Sequence, residues 1–233
     1  MSLFLQKVVE DGYTTYNITG AGYALVVVLA IGSFLALSYF LNTDGQFKIS
    51  VKQLTVSALC LALAFVFSNI KLFKMPMGGS ITVFSMFFVT FIGYLYGPRV
   101  SLFAAFAYGL LQMVVDPYII SLPQLMCDYI LAFGALGLSG FFYGKKHGMI
   151  KGYLLGVFGR FVFSCLSGII FFADYAPEGM NPIVYSALYN GSYLGAEAVL
   201  TVIILAVPVV QQGLNRVKIE MNEKSLKKQV SLG

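Results

Sequence analysis

Three charged residues stand where a lipid-facing chain should have none: Asp128, Arg160 and Glu197 each interrupt a long run of apolar residues. An unpaired ion at mid-bilayer costs at least a few kcal/mol, so each is expected to face protein or a watery cavity. A carboxylate so placed can hold an amino or cationic group or move a proton, and a guanidinium can hold an acceptor. Counted inward from the span ends, Asp128 is shallow while Arg160 and Glu197 lie deeper and at similar levels. That predicts an Arg160–Glu197 pair, acting either as glue between helices or as a ligand contact.

Other chemistry is scarce. His147 is the single histidine and falls in Lys145-Lys146-His147, a basic connection that reads as a solvated face. Cys60, Cys127 and Cys165 lie in apolar runs without CxxC or Cys/His spacing, which reads as small buried hydrophobes. No disulfide, metal site or cofactor is expected, and a Ser/His/Asp hydrolase is disfavoured. The chain has no GxxxxGK[ST] segment, so it does not itself hydrolyse ATP by P-loop chemistry.

Two helical stripes surround the charges. Arg160, Ser164, Gly168 and Phe172 recur every four residues, placing charge, hydroxyl, small residue and ring on one face. Tyr185, Tyr189, Tyr193 and Glu197 make a second stripe, flanked by Ser186 and Asn190. Their polar groups would be costly against lipid, so some must point inward. Asn190 offers both a donor and an acceptor and is the stronger specificity candidate, whereas Tyr185 also suits an interfacial belt. Small residues such as Gly168 equally serve close helix packing. Two Pro/Gly-rich connections, 71–82 and 174–182, cap both stripes. The expectation is a small, partly aromatic ligand held between rings, fixed by a few polar groups and covered by a loop.

The elements that must position these residues are membrane helices. Hydrophobic residues make up 58% of the 233 residues, charged ones only 11%, and mean hydropathy is +0.82. A soluble surface needs about a quarter charged residues, so the chain is read as an all-α, polytopic membrane helical bundle. Apolar periodicity and prolines predict seven spans, near 21–41, 51–70, 79–97, 99–115, 122–143, 149–173 and 182–210. The first lacks a basic leading segment and a cleavage site, so it reads as a retained helix. Three segments follow: an extracellular N-terminus with an extra transmembrane helix (1–48), a six-helix core (49–212) and a basic cytoplasmic tail (213–233).

Lysine and arginine set the orientation. Eleven basic residues fall on one side and only Lys7, Lys71 and Lys74 on the other, placing the N-terminus outside and the C-terminus in the cytoplasm. The net charge of +5 is therefore mostly topology, with anionic lipid as a further contact for the tail and no nucleic-acid partner implied. Ala58 and Ala62 form a small-xxx-small surface suited to another membrane helix.

In order and spacing, several motifs resemble the thiamine-specific substrate-binding subunits (S-components) of energy-coupling factor transporters. These are Lys-Met-Pro-Met-Gly-Gly-Ser-Ile-Thr at 74–82, Tyr-Gly-Leu-Leu-Gln at 108–112, Gln-Leu-Met-Cys-Asp-Tyr-Ile-Leu-Ala-Phe at 124–133, Ser-Gly-Ile-Ile-Phe-Phe-Ala-Asp-Tyr-Ala-Pro at 167–177, and Gly-Met-Asn-Pro followed by Tyr185 and Asn190. The resemblance covers about residues 50–210. It implies a six-helix S-component-like core that binds a thiamine-like ligand and pairs, through an Ala-xxx-Ala face such as Ala58 and Ala62, with a membrane coupling subunit and two ATPase subunits. It makes Arg160, Gly168, Tyr185 and Asn190 candidate ligand contacts, with Phe172 as the stacking ring; Asp128 and Ser164 complete the expected pocket wall. Phe84 stands where the resemblance leads one to expect an acidic residue, Ser164 where a histidine is expected, and the chain has no Trp. An apolar ring at Phe84 is expected to shift ligand preference away from a cationic or amino-bearing molecule.

The leading expectation is a solute-binding subunit of an importer of thiamine or a related small aromatic heterocycle, energised by partner ATPases. The alternative is an autonomous transporter in which Asp128, Arg160 and Glu197 couple ions or protons to solute movement. A membrane enzyme ranks below both, since no nucleophile–base pair accompanies the carboxylates.

Overall fold

The computed structural model describes residues 5–10, 13–22, 24, 28, 49–114 and 117–230. The expected span at 21–41 lies almost wholly outside them. Near the N-terminus, β1 (Leu5–Glu10) and β2 (Tyr13–Ile18) pair as an antiparallel hairpin.

The core begins at α1 (Val51–Asn69), whose start is fixed by a reciprocal cap: Gln53 N–H donates to Ser50 Oγ, and Ser50 N–H donates to the Gln53 side chain. A second antiparallel hairpin follows, β3 (Lys71–Lys74) and β4 (Ser80–Thr82), turned by Pro76–Gly78. Then come α2 (Ser85–Tyr96), α3 (Pro98–Val114), the helical rod α4 (Leu122–Phe142), α5 (Gly148–Phe171), α6 (Pro182–Ala206) and α7 (Pro208–Val230). Four of these, α1, α4, α5 and α6, are long and apolar enough to cross a membrane; α2 and α3 are shorter apolar helices. With Leu59, Phe158, Leu188 and Ile203 all about 60% exposed, the bundle's outer surface is apolar, as lipid requires.

Two expectations are corrected. The stretch 79–84 is not the start of a helix, because Ser80–Thr82 pairs with Lys71–Lys74 and Phe84 adopts a left-handed backbone (φ 57°) just before α2. The last span stops at Ala206, since Pro208 has no N–H to continue the ladder, and the basic tail forms a separate helix. That helix returns to the base of the bundle. Lys52 Nζ donates to the carbonyls of Glu220 and Met221 at 3.0 and 2.8 Å, and Tyr94 donates its hydroxyl proton to Asn215 Oδ1.

The centre is occupied by α2, whose Met86, Val89, Ile92 and Leu95 are fully buried. Around it pack Tyr108 from α3, Leu136 from α4, Tyr153 from α5 and Leu194 from α6. The N-terminal end of this buried helix therefore opens on one end of the bundle and its C-terminal end on the other.

Candidate functional site

At the hairpin end of the bundle, α3 to α6 part around a chamber of about 180 Å³, room for one small molecule. Its walls carry Asp128, Arg160, Ser164, Gly168, Phe172, Tyr185 and Asn190, so seven of the eight pocket positions expected from sequence are brought together. Phe84 is the exception. It lies beside the chamber on the segment leading into α2 and is not part of the wall.

The helix α4 presents Asp128 through an irregular turn. Residues Met126–Leu131 are wound wider than an α-helix, with Ala132 N–H donating to the Cys127 carbonyl five residues back. Such π-turns often mark functional positions. Gln124, only 1% exposed, organises the approach to it: its amide donates to Asp128 Oδ2 at 2.6 Å and to the Tyr118 carbonyl at 3.1 Å, and accepts from Ile120 N–H at 3.0 Å. Tyr129 Oη accepts from Tyr118 N–H at 3.0 Å. The Tyr118 ring is thus held against Phe172, with centroids 6.0 Å apart and ring planes inclined by 29°. The two rings lie on each other, making one aromatic platform instead of two jaws.

The opposite wall comes from α6, where Tyr185, Tyr189 and Tyr193 form a ladder with successive centroids 6.0 and 5.8 Å apart. Asn190 is 6% exposed and bound into the α5–α6 seam. Its amide donates to the carbonyls of Ser164 and Ser186 at 3.2 and 3.0 Å and accepts from the Tyr193 hydroxyl at 2.9 Å. Gly168 is required by the same seam, because a Cβ there would sit 2.0 Å from Ser186 Oγ. Both residues thus support the wall as well as line it.

The anticipated Arg160–Glu197 pair does not form. Glu197, 2% exposed, receives the Thr82 hydroxyl at 2.5 Å, the Ser85 hydroxyl at 3.1 Å and Met86 N–H at 3.1 Å. The free N–H groups and dipole at the start of α2 favour a carboxylate there, so hydroxyls and backbone do the work expected of arginine. Arg160 instead lays its guanidinium over the Phe133 ring, 4.0 Å from the centroid, and its buried Nε has no hydrogen-bond partner. The Arg160 side chain lines the chamber wall.

The β3–β4 hairpin covers the mouth. Tyr189 Oη accepts from Gly79 N–H at 3.0 Å and donates to the Pro76 carbonyl. A Cβ on Gly79 would come within 2.5 Å of that hydroxyl, and one on Gly78, whose φ is +89°, within 2.9 Å of Tyr118. Glycines are needed at the tip because the hairpin lies directly on both aromatic walls. Glu197 fixes the hairpin's other end through Thr82.

Sequence reasoning passed over Tyr118, Gln124 and the Thr82–Ser85–Glu197 cluster as site elements. Gln124 four residues before Asp128 is the one signal that was available, as a helix-neighbour pair. The outer face of α1 carries Ala58 and Ala62, both exposed and away from the chamber.

A polar chamber closed inside an apolar helical bundle defines a multi-pass membrane protein built to hold a small solute. The chain belongs to the thiamine transporter protein family (Thia_YuaJ), whose model matches residues 54–215. It is 30% identical over 146 residues to the thiamine transporter ThiT of Bacillus subtilis strain 168, covering 57% of this chain and 76% of that one. With the thiamine transporter ThiT of Lacticaseibacillus paracasei it shares 25% identity over 121 residues, 45% of this chain and 60% of the relative. The fold matches a structure of ThiT from Listeria monocytogenes with a TM-score of 0.58 at 24% identity, over 66% of this chain and 90% of the other. The family inferred from the motifs is borne out, and these relatives are named as transporters, not enzymes.

Proposed function

We propose that this chain is the thiamine-binding membrane subunit of an energy-coupling factor importer, taking its ligand from outside the cell. The observation that carries this reading is the chamber itself: an acceptor, Asp128, and a cation, Arg160, line it together with an aromatic platform and a tyrosine ladder under a hairpin cover. Thiamine combines an aminopyrimidine with a cationic thiazolium ring. Asp128 accepts from the amino group, the aromatic faces take up the two rings and the positive charge, and Arg160 donates to a ring nitrogen or hydroxyl. Tyr185 and Asn190 complete the polar fit.

In this reading the hairpin end faces outward, the N-terminus is outside and the C-terminal helix is cytoplasmic, in keeping with the lysine and arginine count. The face bearing Ala58 and Ala62 receives the coupling subunit, and two ATPases supply the energy. Thiamine uptake is the test, measured in a host expressing this chain with and without coupling and ATPase subunits. Uptake only with the partners supports the proposal; equal uptake without them supports the ion-coupled alternative.

A further inference from the structure

At the end of the bundle opposite the chamber lies a second cavity, of about 450 Å³, between the C-terminal end of α2, the start of α5, the end of α6 and helix α7. Lys145, Lys146, His147 and Lys218 line it together with Gln211 and Asn215, and among the described residues no carboxylate does. Three lysines lining one concavity differ from lysines spread over a convex solvated face.

Lys218 is held in place. Its ammonium sits 4.2 Å from the centroid of Tyr94 and 4.4 Å from that of Tyr143, and Tyr94 is itself tied to Asn215 by its hydroxyl. Partial burial pushes the ammonium below its ordinary pKa. The 24-residue helix α5 begins at the cavity's edge with no side-chain cap, because His147, at a left-handed φ of 54°, makes no capping hydrogen bond. Its first-turn residues Gly148, Met149 and Ile150 line the cavity, so the positive end of a helix dipole adds to the charge of the lysines. Near this pocket Phe141 and Tyr143 are 58% and 42% exposed, aromatic residues of the kind that border a membrane surface.

We infer that this cavity is a second binding site, for an anionic phosphate group carried on a lipid headgroup or free in solution. Lys218 supplies a fixed charge between two rings, Lys145 and Lys146 close over the anion, Asn215 and Gln211 offer amide donors, and the positive end of the α5 dipole lies at the cavity's edge.

The full-length protein in detergent is mixed with phosphatidylglycerol or phosphatidylcholine and examined by native mass spectrometry; separately, its unfolding temperature is followed with inorganic phosphate against chloride at equal ionic strength. Lys218→Gln and Lys146→Gln are compared with the wild type, the second being an exposed position that keeps the test valid should the first fold poorly. Preferential retention of phosphatidylglycerol, reduced about fivefold by either substitution, the scale of one basic residue at an anionic surface, assigns the site to lipid. Saturable stabilisation by phosphate, absent in the variants, assigns it to a soluble phosphate. Equal retention of both lipids together with no phosphate effect beyond chloride overturns the inference, as do variants indistinguishable from wild type.

Discussion

The hydroxyl of Tyr189 both accepts from and donates to the hairpin tip, so Tyr189→Phe tests the cover directly. The substitution keeps the ring and the ladder but removes the bonds to Gly79 N–H and the Pro76 carbonyl. A net hydrogen bond is worth about 0.5–1.5 kcal/mol, and the tip is partly open to water, which replaces some of the loss. Closure should weaken by about 1–2 kcal/mol, which corresponds to about 5–30-fold faster ligand release. Dissociation of radiolabelled thiamine from the purified protein, chased with unlabelled thiamine, reads this rate. Gly79→Ala strikes the same contact from the hairpin side, so the double variant should release ligand little faster than either single one. A release rate in Tyr189→Phe within twofold of wild type would refute the idea that the hairpin retains the ligand.

Asn190→Ala should weaken thiamine binding by about 1–3 kcal/mol and also lower the thermal midpoint, since it leaves the Ser164 and Ser186 carbonyls short of a donor; calorimetry and an unfolding scan check both. Phe84→Glu should bring no gain in thiamine affinity by calorimetry, because position 84 is off the chamber wall and a new carboxylate would join the segment whose Ser85 and Met86 already bind Glu197. Replacing Ala58 and Ala62 together by Leu should abolish uptake and copurification with the coupling subunit while leaving thiamine affinity unchanged, as both lie on the exposed face of α1.

Helical periodicity carried much of the site. Arg160, Ser164, Gly168 and Phe172 are successive turns of one regular helix, and so are Tyr185, Tyr189, Tyr193 and Glu197, so their shared faces follow from 3.6 residues per turn. Where the backbone leaves that period, the reading failed. Residues 79–84 are apolar enough to look like a helix start, but their pairing with Lys71–Lys74 depends on contacts no local window contains. Glu197 and Arg160 stand at matching depth, yet depth says nothing about azimuth. The hydroxyls of Thr82 and Ser85 reach the carboxylate first, 115 and 112 residues away in sequence. Tyr118 enters the chamber from a connection with no periodicity at all, and its backbone is bound by Gln124 and Tyr129. Phe84 shows the limit of matching by position, since a backbone turned left-handed at that residue removes it from the wall.

Whether the chamber holds thiamine is the claim on which the rest turns, and isothermal titration of thiamine into the purified full-length protein measures it most directly. The account predicts saturable one-to-one binding that Asp128→Ala severely weakens while the variant still folds and inserts. Absence of binding in the wild type, or affinity in Asp128→Ala equal to wild type, would contradict it.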